Sequence, residues 1–125
     1  MIIIFDIDGT LTETCGIDTE CFLEVIERTL DITEVNTEWT DYKHVTDRGI
    51  LEELSLEQKG RPLSEDEFRV FEQAMGESLE ARDLSHFSAI NGAPEFFSNL
   101  VNSGEHEIAL ATGACRASAL VKLER

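Results

Sequence analysis

The chain opens Met1-Ile2-Ile3-Ile4-Phe5-Asp6-Ile7-Asp8-Gly9-Thr10-Leu11-Thr12. Residues 2 to 7 form a short β-branched apolar run ending in aspartates, the pattern of a buried parallel strand whose C-terminal end carries chemistry. Carboxylates at i and i+2 point to the same side of a strand, and Gly9 turns the chain directly after them, so Asp6 and Asp8 can face one crevice. Clustered carboxylates repel each other unless a cation or a proton intervenes. An oxygen-only donor set suits Mg2+, a hard cation that keeps several of its waters. The turn at Gly9 also exposes backbone N–H groups, which can bind phosphoryl oxygens without adding charge. Taken alone, Asp-x-Asp-Gly is equally well a plain turn after an edge strand.

Working outward, Phe22, Leu23, Val25, Ile26 and Leu30 recur at helical spacing from Asp18 onward. Residues 31–45 are polar and predict a loop anchored by Trp39 and Tyr42. A second helix is expected from Thr46, with Asp47 in its first turn and Ile50, Leu51 and Leu54 on one face. Ser64-Glu65-Asp66-Glu67 is a capping-box pattern opening a helix through Phe68, Phe71, Met75 and Leu79. Asn91-Gly92-Ala93-Pro94 starts another, with Phe96, Phe97, Leu100 and Val101 expected to be buried and Gly104 ending it. Residues 107–112, Glu-Ile-Ala-Leu-Ala-Thr, predict a second buried strand, and residues 114–123 a last helix. In that helix the apolar neighbours Leu120, Val121 and Leu123 suggest packing, with Lys122 exposed. The chemical residues then lie at the C-terminal ends of both strands, where open parallel sheets place their ligands.

Composition narrows the classes. Of the 125 residues, 42% are hydrophobic, ordinary for a globular chain. The net charge is −16, from 26 acidic and 10 basic residues, a field that repels nucleic acid and anionic membrane surfaces alike. It would repel a phosphate as well, so phosphate chemistry here requires local compensation, most simply a divalent metal. No apolar stretch approaches the roughly 20 residues needed to cross a bilayer. Asp6 interrupts the opening apolar run too early for a signal peptide. Cys15, Cys21 and Cys115 lack paired spacing and fit reduced thiols, so the expectation is a cytoplasmic protein. Charge also divides the chain. Residues 15–86 hold 19 acidic and 7 basic side chains, a net −12, leaving −4 for the ends.

The string from Phe5 to Thr12 resembles the nucleophile loop of the haloacid dehalogenase superfamily, in the branch of phosphoglycolate-phosphatase-like and β-phosphoglucomutase-like members. That resemblance implies an α/β fold, a partial Rossmann-like parallel-sheet core (residues 1–14 and 87–125) with an inserted all-helical cap (residues 15–86). It implies Asp6 as nucleophile forming an aspartyl-phosphate, and Asp8 as general acid and then base. The Asp6 carboxylate and the Asp8 backbone carbonyl would be the Mg2+ ligands. An aspartate at the Asp8 position resembles the superfamily's phosphatases and phosphomutases, and not its dehalogenases or ion pumps. Ala109-Leu110-Ala111-Thr112-Gly113-Ala114 resembles the second motif, in which the Thr112 hydroxyl and the Gly113 amide join Gly9 in binding phosphate; alone, Thr112 is a helix cap. Asn91-Gly92-Ala93-Pro94-Glu95 resembles the return from cap to core. In the cap, Lys43, His44 and Arg48 form the best local positive group for a substrate anion, although a solvated loop explains them as well.

The resemblance also has a gap. The third motif supplies a basic residue, a role not assigned to Lys122 here, and the fourth supplies acidic metal ligands on a later strand. Glu124 is the only acid after Thr112, and it falls in the final helix. Two strands are too few for a stable parallel sheet covered on both faces. The expectation is therefore a truncated chain or a homo-oligomer, swapped or edge-paired. Two functions of different class stand. One is a Mg2+-dependent phosphatase of a small phosphorylated metabolite, or its phosphosugar mutase variant. The other is a catalytically incomplete interaction module.

Overall fold

The structure, a computed structural model, describes residues 1–82 and 87–124. The elements run β1 (Ile2–Phe5), α1 (Cys15–Leu30), a 3-10 turn (Trp39–Asp41), α2 (Asp47–Lys59), α3 (Glu65–Glu80), α4 (Ala93–Ser103), β2 (Glu107–Leu110) and α5 (Arg116–Glu124). β1 and β2 pair in parallel with Ile2 opposite Glu107 and Phe5 opposite Leu110. The fold is α/β, with a short parallel sheet and a helical region.

Local sequence accounts for most helix ends. Thr46 caps α2, its hydroxyl accepting the Gly49 N–H at 3.0 Å. Ser64 and Glu67 close the reciprocal capping box of α3, with both bonds at 3.1 Å. These bonds satisfy N–H groups that have no partner within the helix. Pro94 lies in the first turn of α4, and Gly104 ends that helix in the left-handed region at φ +66.

Packing concentrates in the helices. Cys21, Val25 and Ile26 of α1, Leu51 of α2, and Phe71, Met75 and Leu79 of α3 are fully buried in one cluster. Phe22 meets Phe71 edge to face with centroids 5.3 Å apart. The two loop anchors behave as expected: Tyr42 is buried and donates its hydroxyl to the Asn36 carbonyl at 2.7 Å, and Trp39 packs on the cluster. α5 leans on α3 where Gly76 faces Ala117. A Cβ on Gly76 would lie 3.2 Å from the Ala117 Cβ, a tight contact that would push the two helices apart by a few tenths of an ångström.

The sheet departs from expectation. Ile2 and Ile4 are 63% and 64% exposed, so β1 is not a buried strand, and β2 is likewise largely open. α4 contains no buried residue, and Phe96, expected inside, is 57% exposed. Phe5 contacts Phe96 and Phe97 edge-on at 6.2 and 5.7 Å, which places α4 against one face of the sheet. The Ile2/Ile4 face is bare. Among the described residues the two strands pair only with each other, and the other helices pack together instead of covering this face. The boundary expected between cap and core at 86/87 adjoins residues 83–86, which lie outside the described residues. No helix among the described residues is long and apolar enough to cross a membrane.

Candidate active site

The loop after β1 winds around one carbonyl. The N–H groups of Thr10, Leu11 and Thr12 all donate to Ile7 O, at 3.1, 2.9 and 3.1 Å. Gly9 makes the turn possible at φ +78, a region closed to most side chains, and its N–H donates to Thr12 O at 2.7 Å. This corrects the expectation that Gly9 offers its amide to a phosphoryl oxygen: that donor is consumed inside the loop. The Leu11 carbonyl then accepts the Ile90 N–H at 3.0 Å, tying the loop to the segment that leads into α4.

Asp6, Asp8, Thr112 and Gly113 line one cavity of about 220 Å3, the crevice that the i, i+2 spacing called for. Asp6 is exposed to it and makes no hydrogen bond or ion pair with a described residue. Thr112 Oγ1 accepts the Ala114 N–H at 3.1 Å, the capping contact, which leaves its hydroxyl proton free to donate. The Gly113 carbonyl accepts the Asp47 N–H at 2.7 Å. A Cβ on Gly113 would lie 2.6 Å from the Val45 carbonyl oxygen, so only glycine admits the residue 45–47 loop this close.

Asp8 is held from behind. Lys122 donates to it with Nζ 2.9 Å from Oδ1 and 3.0 Å from Oδ2, and the Thr14 hydroxyl donates to Oδ1 as well. The same ammonium reaches Asp18 Oδ1 at 2.5 Å. Lys122 is only 1% exposed, which overturns the reading of it as the exposed lysine of a packed helix. Cys115, Ser118 and Lys122 recur at intervals of three and four and are all buried, so the small residues ahead of it mark a face turned inward. Burial acts to lower the Lys122 pKa, but the charges and hydrogen bonds of Asp18 and Asp8 outweigh it and leave the pKa raised. The amine therefore stays cationic at neutral pH.

Asp18 and Asp47 were not expected here. Both line the cavity. Burial raises the Asp18 pKa against the opposing pull of Lys122. Asp47 is more deeply enclosed, at 7% exposed, and burial together with the Asp18 charge pushes its pKa up to about 6. Its Oδ2 accepts the Cys115 N–H at 2.9 Å. The spacing of Thr14 and Asp18, four apart across the first turn of α1, was a local hint that both share one helix face; nothing local marked Asp47.

Lys43, His44 and Arg48, expected to read a substrate anion, do not line the cavity. Arg48 is drawn away to Glu52 at 3.2 Å and to Glu65, and its guanidinium lies over the Phe68 ring at 5.0 Å. Lys43 and His44 are exposed. From that loop it is Val45, Thr46 and Asp47 that form cavity wall.

The donors facing the cavity are oxygen-rich, which fits a hard divalent cation. Both Asp8 carboxylate oxygens are engaged, so of these two carboxylates it is that of Asp6 that would be free to hold such an ion. No group of three His, Cys, Asp or Glu side chains among the described residues is arranged to hold a metal.

Comparison with known proteins speaks to the fold. A hydrolase from Pseudomonas syringae superposes with a TM-score of 0.68 at 20% identity, over 97% of this chain and 53% of that one. A predicted phosphoglycolate phosphatase from Haemophilus somnus 129pt superposes with a TM-score of 0.52 at 18% identity, over 93% of this chain and 52% of its own. The chain thus spans about half the length of these structures, and at such identities the likeness is one of fold. No curated protein matches it in sequence. The family match, in contrast, covers residues 3–125, from β1 through the helix that carries Lys122, and on that extent the chain belongs to the haloacid dehalogenase-like hydrolases.

Proposed function

We propose that this chain carries the nucleophile side of a Mg2+-dependent phosphatase that hydrolyses a small phosphorylated metabolite through an aspartyl-phosphate on Asp6. One observation carries the reading: Asp6, Asp8 and Thr112 line a single cavity, with the buried Lys122 bonded to Asp8. The name of the Haemophilus somnus structure points to the same reaction class.

An Asp6 carboxylate oxygen attacks phosphorus, the ester P–O bond breaks, and the leaving alcohol takes a proton from Asp8. Asp8 then accepts a proton from water as the water oxygen attacks the same phosphorus. The bond to Asp6 breaks and inorganic phosphate leaves. Thr112 Oγ and the Gly113 amide donate to phosphoryl oxygens. Lys122, the third-motif cation of this reading, orients Asp8 and offsets anionic charge built up in the step. When bound, Mg2+ supplies the charge that lets an anionic ester approach Asp6. Residues 15–86 serve as the cap that closes over the site.

The test is hydrolysis of a generic aryl phosphate with and without Mg2+. Turnover should depend on the metal, and Asp6→Asn should lower it by on the order of 1,000-fold or more. Equal background rates in both proteins would instead support the second reading, an interaction module, which the bare apolar sheet face favours. A phosphosugar mutase shares every residue above and separates from a phosphatase only on sugar phosphates.

A further inference from the structure

Asp8, the proton donor and acceptor of the proposed reaction, has two carboxyl oxygens that the folded chain treats differently. Lys122 Nζ lies 2.9 Å from Oδ1 and 3.0 Å from Oδ2, so the ammonium fixes where the carboxyl lies without telling one oxygen from the other. The torsion that turns an aspartate carboxyl is broad and roughly two-fold, so its setting falls to a partner that touches a single oxygen. That partner is Thr14, whose hydroxyl donates to Oδ1.

The surroundings of Thr14 favour this contact over its local alternative. It is fully buried at the N-cap of α1, where a threonine hydroxyl ordinarily accepts an N–H of the first turn. Here it makes no such cap. Its oxygen lies instead 2.7 Å from the hydroxyl of Thr12, which is also buried. Each hydroxyl has one proton to give. With Thr14 giving its own to Asp8, the proton between the two threonines comes from Thr12. The Ile7 carbonyl, 3.4 Å from Thr12 Oγ1, keeps the three backbone N–H groups that it already accepts. The two hydroxyls therefore point in file toward Oδ1, and each bond in such a file polarises the next. Oδ1 then receives two donors, Thr14 and Lys122, and Oδ2 receives Lys122 only. Hydrogen bonds donated to an oxygen favour its unprotonated form, so a proton on this carboxyl belongs on Oδ2.

We infer that Thr14, backed by Thr12, is a positioning residue: it holds Asp8 Oδ1 out of proton exchange and leaves Oδ2 to give a proton to the departing alkoxide and then to take one from water. This rests on the phosphatase reading and adds to it a requirement for a hydroxyl at position 14.

Leaving groups separate the positioning of an acid from a merely structural role. p-Nitrophenolate departs without a proton, whereas propoxide needs one. The kcat/KM of p-nitrophenyl phosphate divided by that of propyl phosphate, measured with Mg2+, therefore reports how well the proton is delivered. Thr14→Val keeps the shape and removes the hydroxyl, and should raise that ratio by about tenfold. Thr14→Ser restores the hydroxyl and should return the ratio to within about twofold of the unaltered chain. A ratio unmoved by Thr14→Val, or left equally high by Thr14→Ser, overturns the inference. If Thr14→Val does not fold, Thr12→Val decides, because it removes the donor behind Thr14. Its ratio should rise by about threefold, and an unchanged one overturns the inference. Aryl phosphate turnover that falls in Asp6→Asn leaves the phosphatase reading standing whatever these ratios do. No turnover of either ester by the unaltered chain removes both readings together.

Discussion

The helical region and the sheet of this molecule use similar amounts of apolar sequence to opposite ends. α1, α2 and α3 turn their apolar stripes toward one another and bury Val25, Leu51, Phe71 and Met75 completely. β1 and α4 are as apolar in sequence, yet leave Ile2, Ile4, Phe96 and Val101 more than half exposed. The helices need only each other to bury a stripe, whereas a parallel strand needs a neighbour on each edge and a layer on each face. Stability should therefore reside in the helices, while the candidate site is mounted where the helices and the strand ends meet.

The sharpest test of that division is Phe71→Ala. It empties the centre of the helical cluster, where Phe71 meets Phe22, and should cost about 3–5 kcal/mol in urea unfolding. A loss below about 1 kcal/mol would mean that the cluster is not the stabilising core. Next comes Lys122→Met, which strands Asp8 and Asp18 at the junction. Breaking a fully buried pair costs about 3–5 kcal/mol, but these carboxylates keep 22% and 23% of their side-chain surface, so about 2 kcal/mol is expected.

A smaller effect comes from pH. The Asp47 pKa rises from 3.8 to about 6 in the folded chain. Between those values the folded state binds more protons than the unfolded one, so this group's contribution to stability falls as pH rises and its cost is complete above pH 6. Asp47→Asn should then gain on the order of 1 kcal/mol at pH 8 relative to the unaltered chain, with the gain vanishing toward pH 4. A gain independent of pH would remove burial of the charge as its cause. Last, Ile4→Thr on the bare sheet face should change stability by no more than about 0.5 kcal/mol, as exposed positions do. A large loss there would show that the face is covered in solution.

Much of the fold was legible locally. The periodicity of Phe22, Val25, Ile26 and Leu30, the box at Ser64 and Glu67, and the glycine at position 104 each speak through neighbours within one or two turns. Part of the candidate cavity's lining was legible too. Asp6 and Asp8 lie two apart on a strand ahead of a turn, and Thr112 ends a second apolar strand. What failed was exposure. A pattern says which residues share a face, and not whether anything comes to cover that face, so β1 and α4 were read as buried. The cationic group failed in the same way: Lys43 and Arg48 looked available because their chain neighbours are polar, but the folded loop gives Arg48 to Glu52 and Glu65.

The sequence alone determined the paired aspartates ahead of the Gly9 turn, the caps of the second and third helices and the two short apolar strands. Only the tertiary structure decided which charges meet: Lys122 with Asp8 across 114 positions and with Asp18 across 104, and Asp47 with the Cys115 amide across 68. Contacts so distant along the chain leave no mark on local periodicity, because they form only once packed helices bring separate faces together.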